Sequence, residues 1–79
     1  MKGTLEEVVE IIARILGIEA AQIEEDTAIG DLPEWDSLHH IQIITAIENK
    51  FGFRFMPDVM MDLEDVSDIV AATEERIAK

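Results

Sequence analysis

The sequence predicts an all-α domain, a small bundle of three major helices and one short helix with a long loop between helices one and two. Apolar residues recur every three or four positions in three separate segments, as expected for amphipathic helices. No segment alternates apolar and polar residues as a half-buried strand does. With 79 residues, the chain has room for a single domain, which we expect to span residues 1–79.

The first helix is predicted over roughly residues 5–16. Thr4 and Glu7 have the spacing of a capping box, and Gly17 is suited to the position just after a helix. The apolar residues between them recur at helical intervals: Leu5, Val8, Val9, Ile12, Ile15 and Leu16.

A long loop follows, over residues 18–35. Helical periodicity fails here, and Gly30 and Pro33 interrupt the stretch. Loops of this length in compact domains usually have a function or pack internally. We expect four apolar residues to hold the loop on the core: Ile18, Ile23, Ile29 and Leu32.

Helix two is predicted over residues 37–51, between an N-cap at Asp36 and Gly52. Its apolar positions carry Leu38, Ile41, Ile44, Thr45, Ile47 and Phe51. Pro57 suits the first turn of a short helix that ends near Met61.

The last helix is predicted to begin after Asp65, which serves as its N-cap with Asp68 in the first turn. Its amphipathic pattern consists of Val66, Ile69, Val70, Thr73 and Ile77.

Charge and composition exclude several classes of function. The 18 acidic residues exceed the 6 basic ones and give a net charge of −12, which disfavours nucleic acid and anionic membranes and favours a partner protein with a basic surface. No apolar run approaches the roughly 20 residues of a membrane span, so no membrane insertion is expected. The chain has no cysteine, and its N-terminus lacks the organisation of a signal peptide. We expect a cytoplasmic monomer.

The segment Trp35-Asp36-Ser37-Leu38 follows an acidic loop and opens the second amphipathic helix. In this setting the chain resembles the acyl carrier protein family over essentially its whole length. The resemblance implies that Ser37 accepts a 4′-phosphopantetheine arm from coenzyme A, with Asp36 and Leu38 beside it as the other cofactor-binding residues. It also implies a separate phosphopantetheinyl transferase that uses a magnesium ion, and a chain that is itself a carrier and not an enzyme.

The exposed N–H groups and the positive dipole end of a helix start favour an anionic phosphodiester at Ser37. The alternative is a serine that only caps a helix. Ser37 has no evident base, because His39, two positions along, points to another face. We therefore expect the transferase to supply the base, and Asp36 both to cap the helix and to be recognised by the transferase.

Two faces of helix two have different expected roles. By resemblance, one face contacts partner enzymes through Leu38, His39, Ile41, Gln42, Thr45 and Glu48. The other face and the short helix line a cavity that shelters an acyl chain, through Ile43, Ile47, Phe51, Met60 and Met61. The alternative is that the whole apolar stripe is core.

Helix two departs from carriers of fatty acid synthesis, in which the partner face is densely acidic. His39, His40, Gln42 and Asn49 replace much of that charge. This pattern resembles free-standing carriers of specialised lipid, lipopolysaccharide or polyketide pathways, whose partners load, transfer or modify acyl groups. Two rivals stay open, a carrier of aminoacyl or peptidyl groups and an unmodified acidic scaffold.

Adjacent His39 and His40 invite a metal hypothesis, but neighbouring helix positions diverge by about 100° and no third ligand has suitable spacing. We expect no metal site. One histidine could instead pair with the phosphate of the arm or with an acid of a partner. Trp35 is interpreted as an anchor for the end of the loop, with direct contact to cargo as the alternative.

Overall fold

The computed structural model describes residues 3–77. Within that range the α-helices are α1 (Thr4–Leu16), α2 (Ser37–Phe51), α3 (Pro57–Asp62) and α4 (Val66–Ile77), and a short 3-10 helix, Ala20–Gln22, lies in the connection between α1 and α2. No strand forms between residues 3 and 77, and one isolated bridge pairs Ala28 with Asp65. The predicted all-α bundle, with a long connection before α2, is confirmed.

The predicted capping box of α1 is wrong. Thr4 is the first helical residue, and Gly3 before it is the N-cap, without a side-chain hydrogen bond. The Gly3 carbonyl accepts from the Glu7 N–H at 3.1 Å. The helix therefore begins one residue before the predicted start, where Thr4 cannot act as a cap. Gly17 ends α1 in the left-handed conformation, at φ 70°, which glycine adopts without a Cβ penalty.

Aspartate side chains cap α2 and α4 as predicted. Asp36 accepts from the His39 N–H at 2.9 Å, and Asp65 accepts from the Asp68 N–H at 2.8 Å. Each of these bonds satisfies an amide that the first turn leaves unpaired. The short helix α3 starts at Pro57 as predicted and extends one residue further, to Asp62.

The core lies where α1 packs against α2 and α4. Its buried apolar side chains are Val8, Ile11, Ile12, Ala13, Leu16, Ile23, Trp35, Ile43, Ile44, Ile47, Phe55, Leu63, Val66 and Ile69. The loop residues expected to hold the first connection do so: Ile23 is buried, and Ile18, Ile29 and Leu32 pack against the core half-buried.

The long first loop is tied to the start of α4 by backbone hydrogen bonds. Ile29 N–H donates to the Glu64 carbonyl at 2.9 Å, and Val66 N–H donates to the Thr27 carbonyl at 3.0 Å. The Glu25 carbonyl accepts from both the N–H and the hydroxyl of Ser67. These bonds satisfy loop amides and carbonyls that would otherwise lack partners. They also bring the end of α3 close to the start of α2.

Glu48, predicted to contact partners, instead lies inside the fold. Only 9% of it is exposed, and its Oε2 accepts from the Phe55 N–H at 2.8 Å. The chain turns back after Gly52, which brings the amide of buried Phe55 to the Glu48 carboxylate. The assignment of Glu48 to the partner surface is therefore wrong.

Replacing Glu48 by alanine is expected to lower the free energy of unfolding by about 1–3 kcal/mol, because the buried Phe55 amide loses its acceptor. Glu48→Gln retains an acceptor oxygen and should lose less. Urea unfolding of both variants measures the difference. Equal losses in the two variants would show that the hydrogen bond does not account for the role of Glu48.

Candidate functional site

Ser37 is the first residue of α2 and is exposed. Asp36 accepts hydrogen bonds from two amides of the first turn of α2. Its side chain accepts from the His39 N–H, and its backbone carbonyl accepts from the His40 N–H. Among the hydrogen bonds of residues 3–77, none uses the amides of Ser37 and Leu38 or the Ser37 hydroxyl. Free amides and the positive end of the helix dipole together favour an anion attached at this hydroxyl.

Asp36 and His39 form a close pair beside Ser37. Asp36 Oδ1 lies 2.8 Å from His39 Nδ1, in addition to its bond with the His39 N–H. The pKa of Asp36 is lowered, first by the hydrogen bond from the His39 N–H and second by that from the His39 ring. Neither histidine is hydrogen-bonded to Ser37. The geometry therefore gives Ser37 no activating base within the described residues.

Trp35 anchors the end of the loop, as predicted. Its side chain is fully buried, and its Nε1–H donates to His40 Nδ1 at 3.0 Å. The Trp35 carbonyl accepts from the Gly30 N–H at 3.0 Å. Gly30 has a φ of 92°, a backbone conformation that residues other than glycine rarely adopt. The hydroxyl of Ser37 is therefore presented from a rigidly held junction between loop and helix.

The Trp35 bond determines the protonation state of His40. An acceptor Nδ1 belongs to the neutral ring with its proton on Nε2. Nε2 is buried and makes no hydrogen bond. Burial lowers the pKa of His40, and the Leu63 backbone opposes this decrease in part. A neutral His40 therefore belongs to the folded state.

This lowered pKa predicts an acid sensitivity due to His40. Its stabilising contribution is complete above the ordinary pKa of 6.5 and is lost as the pH falls through the lower folded value. Between about pH 7.5 and 5, the wild-type protein should therefore lose more stability than His40→Phe. Denaturant unfolding across this pH range measures the difference in stability loss between the two proteins. The contributions of carboxylates that both proteins contain cancel in this comparison.

His39→Gln is the matched control, since the His39 ring binds Asp36 and not buried Trp35. It should keep the acid sensitivity of the wild type. Parallel pH profiles of wild type and His40→Phe would contradict the prediction.

A hollow of about 400 Å³ opens beside Ser37. Its walls come from the loop, α2, α3 and the α3–α4 connection, and they are formed by Ile29, Ser37, His40, Ile41, Met60, Met61, Leu63 and Glu64. Most of these side chains are apolar, and the two methionines are flexible enough to adapt to an occupant. The hollow can therefore receive an apolar chain that is tethered nearby.

The residues predicted to line an acyl cavity lie in different parts of the structure. Met60 and Met61 line the hollow, although Met61 is 83% exposed. Ile43 and Ile47 are fully buried in the packed core, and half-buried Phe51 lies at the opposite end of α2, stacked on Phe53. An inward-facing position on α2 thus contributes to core packing, and the open space lies at the edge of the bundle.

The exposed face of α2 is apolar and neutral. Leu38 is 63% exposed and Ile41 is 58% exposed, and Gln42 and Thr45 are exposed beside them. With Glu48 buried, this face carries no carboxylate after Asp36. Large exposed apolar side chains grouped in this way are typical of interaction surfaces.

Two other kinds of feature are absent from residues 3–77. No group of three or more histidine, cysteine or acidic side chains is placed to hold a metal ion among them. No helix in this part of the chain is long and apolar enough to cross a membrane.

Comparison with known proteins identifies the family. The family described as phosphopantetheine attachment site matches residues 6–73. The chain is 33% identical to an acyl carrier protein of Thermobifida fusca over 69 residues, which cover 87% of each chain. The chain belongs to the acyl carrier protein family. It is also 31% identical to a meromycolate extension acyl carrier protein of Mycolicibacterium smegmatis, over 90% of this chain and 76% of the relative.

Acyl carrier proteins hold a covalently attached 4′-phosphopantetheine, and membership of the family gives this chain the same cofactor. The residues around Ser37 fit such an arm, since an exposed hydroxyl, unused amides and an adaptable apolar hollow lie together. Acyl carrier proteins work with a transferase that attaches the arm and with enzymes that handle acyl groups, and they carry rather than catalyse.

Sequence reasoning missed half of the hollow. Ile29 was expected only as a loop anchor, and Leu63 and Glu64 were not singled out. Hydrogen bonds between the loop and the α3–α4 connection place these residues beside Ser37. No periodic pattern in the sequence indicates those bonds. His40 was considered only with His39, although the indole of Trp35 is its partner.

Proposed function

We propose that the chain carries acyl intermediates on an arm attached to Ser37, in a specialised lipid, lipopolysaccharide or polyketide-type pathway. The observation that carries this proposal is the exposed Ser37 hydroxyl at the free start of α2, on the rim of the apolar hollow. The arm, when attached, supplies a thiol that holds the acyl group as a thioester.

Attachment at Ser37 displaces the nucleotide part of coenzyme A. The hydroxyl oxygen forms the new bond to phosphorus, the phosphoanhydride bond breaks, and the proton of the hydroxyl must go to a base. Since neither His39 nor His40 is bonded to Ser37, the transferase supplies that base. Free amides at the helix start then stabilise the attached phosphodiester.

The hollow beside Ser37 shelters the acyl chain in this proposal. Ile29, Ile41, Met60 and Leu63 remove apolar surface of the cargo from water. Flexible Met60 and Met61 adjust to chains of different shape. A rigid core behind the hollow, at Ile43 and Ile47, keeps the bundle folded as the cargo enters and leaves.

The partner surface centres on the apolar face of α2. Leu38 and Ile41 are exposed on α2, and Met61 lines the hollow together with Ile41. Exposed acidic residues occur in the loop, in α3 and in the α3–α4 connection: Asp31, Glu34, Asp58, Asp62 and Glu64. A partner enzyme with an apolar pocket and a basic rim fits this arrangement. Such a partner associates by electrostatic steering and releases the carrier quickly.

Support for a specialised pathway comes from two sources. The exposed part of α2 lacks carboxylates after Asp36, which separates it from the acidic helix of housekeeping fatty acid carriers. Relatives in Mycolicibacterium smegmatis and Mycobacterium bovis are named meromycolate extension acyl carrier proteins. Both point to recognition by enzymes other than those of general fatty acid synthesis.

The deciding experiment incubates the purified chain with coenzyme A, magnesium and a broad-specificity phosphopantetheinyl transferase, followed by intact mass measurement. A gain of one phosphopantetheine supports a carrier. No gain, with a known carrier modified in the same reaction mixture, would favour the unmodified acidic scaffold. Subsequent loading with an amino acid by an adenylating enzyme, in preference to acyl groups, would favour the aminoacyl or peptidyl carrier.

A further inference from the structure

One polar atom of a residue that lines the hollow lies beneath its surface and lacks a well-formed hydrogen bond. His40 Nε2 is buried and has no hydrogen bond, while the rest of the lining is mainly apolar. The Leu63 backbone acts on the ring as a hydrogen-bond acceptor that raises its pKa, but it does not meet Nε2 with the geometry of a well-formed hydrogen bond. A buried donor without an acceptor is unfavourable and rare in native proteins. An acceptor that enters the hollow would remove this penalty.

The neighbouring bond makes Nε2 a donor. Trp35 Nε1–H can only donate, so Nδ1 of His40 accepts and the ring proton resides on Nε2. Trp35 is fully buried, and it therefore also fixes the orientation of the ring. His40 is thus a preorganised N–H donor one helical turn after Ser37, in an apolar wall.

We propose that His40 makes this carrier selective for acyl groups that bear a hydrogen-bond acceptor, such as a ketone oxygen, over plain alkyl chains of equal length. This inference rests on the proposed function, since the cargo must be tethered at Ser37. Alkyl cargo fills the apolar walls and leaves Nε2 unpaired. A ketone oxygen fills the same space and accepts the Nε2 proton, once the side chains that cover Nε2 move aside.

Because Glu64 also lines the hollow, a keto cargo tests the role of His40 more specifically than a hydroxyl-bearing cargo does. The Glu64 carboxylate can only accept hydrogen bonds when ionised. A hydroxyl on the cargo could donate to Glu64 and imitate an effect of His40. A ketone has no proton to donate, so only the histidine can bind it.

The test compares the arm-bearing protein, the protein loaded with a short saturated acyl chain, and the protein loaded with β-keto or mid-chain keto chains of the same length. Thermal unfolding should show at least one keto form melting about 4–8 °C above the saturated form. In nitrogen-15 spectra of the ring, the Nε2 proton should shift on keto loading and stay unchanged on saturated loading.

Two substitutions separate donation from packing. His40→Phe keeps a ring but removes the donor, and it should abolish the difference between keto and saturated cargo. His40→Gln can accept from Trp35 and still donate, so it should keep part of the difference. Because the spectra use the wild-type protein, the test does not depend on either variant folding well.

Two results would overturn the proposal. One is equal melting of all keto and saturated forms in the wild type. The other is an Nε2 proton already shifted in the protein that bears the arm alone, since the arm would then be the acceptor and cargo would not be distinguished. Failure of the transferase to add any arm is a different outcome, which refutes the carrier function itself before His40 is tested.

Discussion

Replacing Ser37 by alanine is expected to abolish attachment of phosphopantetheine completely. The chain contains two serines, Ser37 and Ser67, and both lie in the first turn of a helix. The Ser67 hydroxyl donates to the Glu25 carbonyl at 3.0 Å, whereas Ser37 makes no such bond. Ser67 is therefore a matched control for an exposed serine at a helix start.

In the transferase reaction, Ser67→Ala should gain one phosphopantetheine as the wild type does, and Ser37→Ala should gain none. Intact mass measurement distinguishes the outcomes directly. Circular dichroism spectra of both variants show whether each remains helical, so that loss of the site is separated from loss of the fold. A gain that persists in Ser37→Ala and vanishes in Ser67→Ala would move the attachment site to α4.

The helices were predictable because their determinants are local. Asp36 caps α2 through an amide three residues later, and Gly52 ends it in the left-handed conformation. Both are choices of residue type at a known position, and they can be recognised in the sequence. The error at the start of α1 is a displacement of one residue, since Gly3 and Thr4 are neighbours and either is compatible with an N-cap.

Glu48 shows where local patterns stop being informative. Glutamate is seldom buried, and the resemblance assigned Glu48 to the face that contacts partner enzymes. Its burial depends on the amide of Phe55, seven residues later, which reaches the carboxylate only after the chain turns. A long-range hydrogen bond of this kind leaves no periodic signal.

The position of the hollow could not be predicted for a related reason. Helical periodicity indicates which side of α2 faces inward, and Ile43 and Ile47 do face inward. It does not indicate how tightly that side is packed. The open space depends on where the loop residue Ile29 and the connection residue Leu63 meet, far apart in sequence. Ser37 is singled out by the agreement of its motif, helix position and preceding loop, and its role as the attachment site stays a prediction.

Trp35→Ala is expected to lower the free energy of unfolding by about 3–5 kcal/mol, the usual cost of truncating a buried tryptophan. Trp35 is fully buried at the junction of loop and α2, and a domain of this size has a total stability of roughly 5–15 kcal/mol. Urea unfolding at neutral pH measures the loss. A loss below about 1 kcal/mol would show that the junction is not anchored by this side chain.

Trp35→Phe separates the two roles of the anchor. It keeps most of the ring volume and removes the Nε1–H that His40 accepts, so the stability loss should be smaller, about 1–3 kcal/mol. Without that donor the His40 proton is free to occupy either ring nitrogen, and nitrogen-15 spectra should show a mixture of the two neutral forms. A ring that keeps its proton on Nε2 in this variant would mean that other contacts determine the state of His40. Trp35 would then anchor the loop and leave the neighbouring donor unaffected.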